Sequence, residues 1–255
     1  MRNNQPVTQR EYAFPDQQRL ISTTDLKGQI TYCNDIFAEV SGFARDELIR
    51  APHNLVRHPD VPPAVFDHMW TTLKQGKPWM GIVKNRRKTG DHYWVNAYVT
   101  PIFDQQRQVT GYESVRTKPT REQVQRAEAL YARINSGKSG VPRRNTWLPV
   151  LSKWLPFLVI SQIGFLVGAS FDHALGFIAA ALLAVPFGLV ALHWQQRGIK
   201  RLLQLASEST SDPLIARMYT DSSGVEAQLE MAMLSQHAHL KTCLTRLQDM
   251  AVQLQ

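Results

Sequence analysis

Two apolar stretches separated by one polar pair constrain this chain more than anything else in it. Trp154 to Phe171 is apolar apart from serine, glycine and Gln162, and Ala174 to Trp194 is apolar around Pro186. Each approaches the roughly 20 residues a helix needs to cross about 30 Å of hydrocarbon. Only Asp172 and His173 lie between them, so two spans are expected to form a hairpin with both flanks on one side of a bilayer. Arg143, Arg144 and Lys153 precede the pair and Arg197, Lys200 and Arg201 follow it, the basic bias of a cytoplasmic side, with Trp154 and Trp194 as interfacial anchors. The competing expectation is a buried hairpin in a soluble fold, although no amphipathic partner of matching length lies elsewhere.

At 255 residues the chain has room for one or two domains of about 100 to 150 residues. Its formal net charge of +8 does not point to nucleic acid. The basic residues are dispersed over the first half and then cluster beside the apolar stretches, rather than forming one patch. Cys33 and Cys243 lie far apart, with no CxxC pair and no Cys/His spacing suited to zinc, and read as reduced thiols. The polar start Met1-Arg2-Asn3-Asn4-Gln5 has no apolar h-region, so no cleavable signal peptide is expected and the N-terminal part is expected in the cytoplasm.

Before the apolar pair, the pattern is short and punctuated. Leu20 to Asp25 and Ile30 to Cys33 are β-prone, and Gly28 between them suits a hairpin turn. Asn34 offers an N-cap to a helix carrying Ile36, Phe37, Val40 and Phe43, and a second short helix follows at Arg45 to Ile49. Pro63 opens a longer helix to about Lys74 with Val65, Phe66, Met69, Trp70 and Leu73 on one stripe. Three strands follow at Trp79 to Arg87, His92 to Phe103 and Val109 to Arg116, and a helix at Gln123 to Asn135. Two strands, several helices and three antiparallel strands is the order of an α+β PAS domain, a five-stranded sheet curled around a central cavity.

Three segments carry a resemblance to a known family: Ser22-Thr23-Thr24-Asp25-Leu26; Pro52 to Asp60, with Arg57-His58-Pro59-Asp60 at its end; and Gly81 to Arg87 with Gly90 to Val95. Together they resemble the N-terminal PAS domain of bacterial aerotaxis receptors. The likeness covers residues 7 to 137 well and continues more loosely into the apolar hairpin. It implies non-covalently bound FAD, a homodimer in the inner membrane, and a signal about redox or oxygen state passed on by conformational change rather than catalysis. In that family the Arg57-His58-Pro59-Asp60 motif is associated with FAD binding.

A flavin ring is a flat apolar slab with a polar edge, so its pocket needs an aromatic or aliphatic wall and a few oriented hydrogen-bonding groups. On a strand, residues 79, 81, 83 and 85 share a face, so Trp79 can wall the ring and Asn85 can present an amide to flavin N5, rotating as N5 changes from acceptor to donor. Arg57 suits a pyrophosphate or a flavin carbonyl, and Asp60 is expected to orient Arg57 or His58. A surface salt bridge capping the helix at Pro63 is the plain alternative. His53, Asn34 and Trp70 are further candidates, with helix capping open for Asn34 and a core role open for Trp70. Cys33 lies outside the segment where light-sensing flavin domains keep their adduct-forming thiol.

No hydrolase elbow, Walker loop, HExxH or GxGxxG occurs in the sequence. Haem on one of His53, His58, His68 or His92 is the chemical rival, and a flavoenzyme the rival class. Residues 1–19 form an N-terminal cap, 20–119 the PAS domain, 120–153 a helical and basic linker, 154–194 the hairpin, and 195–255 a HAMP-like or coiled-coil segment. That last segment has a stripe at Ile199, Leu202, Leu203 and Ala206, a break at Ser207 to Pro213, and near-heptad apolar spacing from about Gly224. It lacks the proline after the span and the acidic residue before Gly224 that HAMP units carry. Full receptors of the family continue into a helical hairpin that controls the chemotaxis histidine kinase, a module residues 1–255 are not expected to supply.

Overall fold

A computed structural model of the chain describes residues 4–140, 212–222 and 225–253. All of them belong to one compact unit. The expected hairpin at 154–194 and the helix over 196–206 lie outside the described residues. Among the described residues no helix is long and apolar enough to cross a membrane.

Strands β1 (Leu20–Asp25) and β2 (Ile30–Cys33) form the first hairpin. Its turn closes because Asp25 Oδ1 accepts from the amides of Lys27 and Gln29, both at 2.8 Å, and Gly28 takes a φ of 78° that a side chain would resist. Helix α1 (Asp35–Ser41) starts where Asn34 accepts from Phe37 N and stops at left-handed Gly42. Short α2 (Arg45–Leu48) and a 3-10 turn (His53–Val56) lead to α3 (Pro63–Lys74), which has proline in its first turn. Strands β3 (Trp79–Arg86), β4 (His92–Phe103) and β5 (Val109–Thr117) complete one antiparallel sheet in the order β2-β1-β5-β4-β3. The elements expected between Leu20 and Asn135 form, with ends displaced by a residue or two.

Side chains alternate across this sheet. Inward positions of β3, β4, β5 and β1 face the segment from α1 to α3. Outward positions of β3, among them Met80 and Ile82, are buried at 2% and 0% exposure. Helix α4 (Arg121–Asn135) covers them, opened by a capping box between Thr120 and Gln123. Its Tyr131 donates to Ile82 O and stacks on Trp94.

The C-terminal segment departs from the expected pattern. A helix, α5 (Pro213–Tyr219), occupies a stretch for which the sequence gives only a break and a gap before the heptads. Asp212 caps it through Leu214 N, proline sits in its first turn, and Ile215 and Met218 are fully buried. Tertiary burial makes a stable turn out of a stretch too short to show a period. Tyr219 donates to Asn96 at 2.7 Å and Asp221 pairs with Arg126 at 2.6 Å, so α5 packs on α4 and β3. Helix α6 (Val225–Gln253) follows, with Met231 and Ala232 buried and Met233, Leu240 and Leu244 exposed.

Candidate functional site

The inward sheet face and α3 enclose a cavity of about 310 Å³, at the small end of the range for ligand pockets. Ser22 and Thr24 come from β1, Val83 and Asn85 from β3, Val95, Ala97 and Val99 from β4, and Tyr112, Ser114 and Arg116 from β5. Phe66, Met69, Trp70 and Leu73 of α3 close it. Lys27, Gly28, Pro52, His53 and Asn54 also belong to the lining, and of these Lys27, Pro52 and Asn54 are exposed.

Of the residues expected at the site, Arg57, Trp79, Asn85, His53 and Trp70 line this cavity, and His58, Asp60 and Asn34 do not. Trp79 is buried at 1% exposure, and its indole runs along the strand over Gly81, where a Cβ would stand only 2.4 Å from the ring. Asn85 is buried, and a β-bridge to Arg57 ties its strand to the opposite wall. The Arg57 guanidinium lies 3.6 Å from the centre of the Phe66 ring, and burial pulls its pKa down to about 10. Trp70 meets Tyr112 edge to face, with ring centres 5.4 Å apart.

The other three are structural. Asn34 spends its side chain on Ile21 N, Phe37 N and Arg19 O, so it serves as cap and strand tie. His58 is 1% exposed, and its Nδ1 accepts from Asp60 N at 3.2 Å. Burial first, and then Lys84, lower its pKa to about 4, so it is neutral. Asp60 lies 3.4 Å from His58 Nδ1 and 2.7 Å from Lys84 Nζ. Of the two partners expected for Asp60, Arg57 and His58, the structure places it against His58, and it adds the buried ammonium of Lys84.

Sequence reasoning overlooked the most unusual group at the cavity. Arg116 is only 4% exposed, and among the described residues no carboxylate forms an ion pair with it. Its guanidinium donates to Ser22 Oγ at 3.1 Å, meets His53 Nε2 at 2.5 Å and lies 5.1 Å from the centre of the Phe37 ring. Burial lowers its pKa to about 10 and it remains charged. Because arginine only donates, His53 Nε2 is an acceptor and its ring is neutral. Burial and Arg116 together push that His53 pKa down to about 3. Beside Arg116, Ser114 Oγ is buried with no hydrogen-bond partner. A signal was available: Tyr112, Ser114 and Arg116 alternate on the inward face of β5, and an inward arginine on a strand needs an acceptor.

An apolar slot with aromatic walls, a buried uncompensated cation and an orphaned hydroxyl suits a flat ligand with carbonyl or anionic acceptors on one edge. Among the described residues His53 is the one histidine on the lining, so a haem held by it would have to take it from Arg116. Cys33 is buried in β2 away from the lining.

A family profile described as PAS fold matches residues 30–116. The chain is 48% identical over 149 residues to the aerotaxis receptor of Escherichia coli (strain K12), covering 58% of this chain and 29% of that receptor. It is 32% identical over 92 residues to a nitrogen fixation regulatory protein of Klebsiella pneumoniae, covering 36% of this chain and 19% of the relative. The chain thus spans under a third of the length of either relative. Among solved structures, a light-oxygen-voltage domain studied with a flavin analogue aligns with a TM-score of 0.40 at 20% identity, over 48% of this chain and 90% of that one. The chain therefore carries an N-terminal PAS-fold domain and is, over that part of its length, a homologue of the aerotaxis receptor.

Proposed function

We propose that the PAS domain holds FAD non-covalently in the cavity bounded by Trp79, Asn85 and Arg116, and reports redox or oxygen state for aerotaxis by conformational change. The observation that carries this reading is Arg116, a buried cation left without a counter-charge on the cavity wall. Burying an unpaired charge costs several kcal/mol, and an acceptor-rich ligand edge offsets that cost. The cavity volume suits one ring slab rather than a whole dinucleotide, so the remainder of FAD would pass out near exposed Lys27 and Asn54.

A bound flavin supplies a ring that gains charge and protons on reduction. Arg116 would hold negative charge on such a ring, and His53 keeps that guanidinium in place. Trp79, Val83, Leu73 and Met69 exclude water. Asn85 presents an amide that is donor at one end and acceptor at the other, so it can pair with a ring nitrogen in either protonation state by turning over. Among the described residues the lining carries no carboxylate.

Membrane anchoring through residues 154–194, homodimerisation and communication with a chemotaxis kinase complete the proposal. The apolar pair, the heptad spacing of α6 and the relationship to the aerotaxis receptor support them. An absorbance spectrum of the purified full chain tests the core claim. Twin flavin bands, with FAD released on denaturation, are expected; a Soret band or no chromophore would overturn it.

A further inference from the structure

One partly buried hydrogen-bond chain leaves the cavity wall and ends at the C-terminal segment. Trp79 Nε1 donates to His68 Nδ1 at 3.0 Å. An indole N–H is only a donor, so Nδ1 must accept and the proton of the imidazole sits on Nε2. That Nε2 lies 3.0 Å from Asp212 Oδ2. The other oxygen, Asp212 Oδ1, accepts from Leu214 N at 2.7 Å and so caps α5. Bonds from His68 and the Leu214 amide outweigh burial and keep the Asp212 carboxyl below its ordinary pKa, so it is charged. His68 lies on α3, does not line the cavity and is half-buried, and Asp212 sits 144 positions further along the chain (212 − 68).

We infer that Trp79, His68 and Asp212 form a relay coupling the ligand in the cavity to the docking of α5, with His68 and Asp212 as positioning residues. The inference rests on the reading of the cavity as a flavin site. Three features of the geometry support it. The indole is both wall and donor, so a ligand that turns or clamps the ring sets the position of Nε1. His68 can satisfy both neighbours only as the neutral Nε2–H tautomer, so the bond to Trp79 and the bond to Asp212 are made together or reorganised together. Asp212 begins the helix through which β3 and α4 meet the C-terminal segment, so a displaced carboxylate loosens the first turn of α5. Linkage then requires reciprocity: a docked α5 must hold the ligand more tightly by the same factor by which the ligand steadies α5.

The test is hydrogen exchange at the α5 amides of the full chain in detergent, with and without FAD. In the native sequence FAD should slow exchange at residues 215–220 at least threefold. His68→Leu and Asp212→Ser should keep their flavin absorbance and lose that difference. Ser retains the cap but cannot replace the carboxylate acceptor, so a purely structural role for Asp212 would leave the FAD-dependent change intact and overturn the relay. A ligand-free arm keeps the relay separable from the flavin reading. Trp79→Phe and Asp212→Ser should each speed α5 exchange by a similar factor, and the double variant should be no faster than either single one. Additive effects, or none from Trp79→Phe, would overturn the relay whether or not the chain binds FAD.

Discussion

Lys84 on the outer face of β3 and Arg116 on the inner face of β5 are both buried cations, and of these two only Lys84 pairs with a carboxylate among the described residues. Lys84 on the outer face has 8% side-chain exposure and pairs with Asp60 at 2.7 Å, beside neutral His58. Arg116 on the inner face is as well buried and meets a neutral imidazole and a hydroxyl. A buried charge that serves only the fold is paired within the fold. One left unpaired beside a cavity points to an acceptor that comes from outside the chain. The contrast separates two sets of polar groups: His58 and Asp60 tie the loop before α3 to β3, and the charges on the cavity lining come from β5 and from neighbouring Arg57.

The largest expected effect, with pH, tests both regions at once. Each holds a neutral histidine, His53 at the cavity and His58 in the outer cluster, with pKa values of about 3 and about 4 against an ordinary 6.5. An unfolded chain takes up protons near pH 6.5 that the folded chain refuses. Stability is thus intact above about pH 6.5 and falls as pH drops toward 4, by about 1.4 kcal/mol per pH unit for each histidine. Urea unfolding midpoints between pH 7 and 4.5 measure the slope, and His58→Gln should reduce it, leaving the parts due to His53 and to buried His92, whose pKa burial also lowers. A slope unaffected by His58→Gln would mean that the outer cluster does not bury a neutral ring.

Removing the counter-charge comes next. Asp60→Ala leaves Lys84 buried and unpaired, and should cost about 2 kcal/mol, less than a fully buried pair because Asp60 is half exposed. Lys84→Met leaves only a carboxylate that water can reach, and should cost under about 1 kcal/mol. Equal losses in chemical denaturation would erase the asymmetry on which the scaffold reading of Asp60 depends.

The fold was legible because its elements obey local rules: the Gly28 turn, the Asn34 cap, proline at the start of α3, and strands bounded by Gly90 and the Asp104 loop. Half of the site was legible for the same reason, since period-2 alternation alone puts Trp79 and Asn85 on one face. Arg116 was missed because an arginine near the end of a strand reads as solvated until the sheet closes over it. Sequence proximity to Arg57 does not reveal that the chain turns there, so that Arg57 lines the cavity while His58 and Asp60 lie beside Lys84. Helix α5 escaped because a seven-residue helix is defined by the surface it buries, and that surface lies far back in the chain on α4 and β3.

Arg116 itself supplies the sharper test of the contrast. Arg116→Met removes the uncompensated cation and fills its space with apolar atoms, so the ligand-free chain should gain about 1 to 2 kcal/mol of stability. Its retained flavin should fall at least tenfold, which corresponds to about 1.4 kcal/mol of lost charge-assisted bonding. A trade of stability against ligand retention is the signature of a charge placed for a ligand. If Arg116→Met is destabilising and flavin content is unchanged, the guanidinium belongs to the fold, and the two cations differ only in the chemistry of their partners.

Asn85 should give the smallest effect on binding and the clearest separation of holding from reading. It sits on the inner face of β3, opposite Tyr93 in the strand register and bridged to the backbone of Arg57, so its position is set by main-chain pairing rather than by its own amide. Asn85→Ala therefore keeps the strand and the cavity and loses one neutral hydrogen bond, about 1 kcal/mol or less in flavin affinity. The amide is nonetheless the neutral group on the wall that offers a donor at one end and an acceptor at the other, which is what a ring nitrogen requires when reduction changes it from acceptor to donor. Limited proteolysis of the full chain during a dithionite titration reads the outcome. The native chain should change its cleavage pattern on reduction, and Asn85→Ala should stay flavin-loaded with a pattern that no longer responds. A full response in Asn85→Ala would shift the reading role to the charged side of the cavity, to Arg116 and its neutral partner His53.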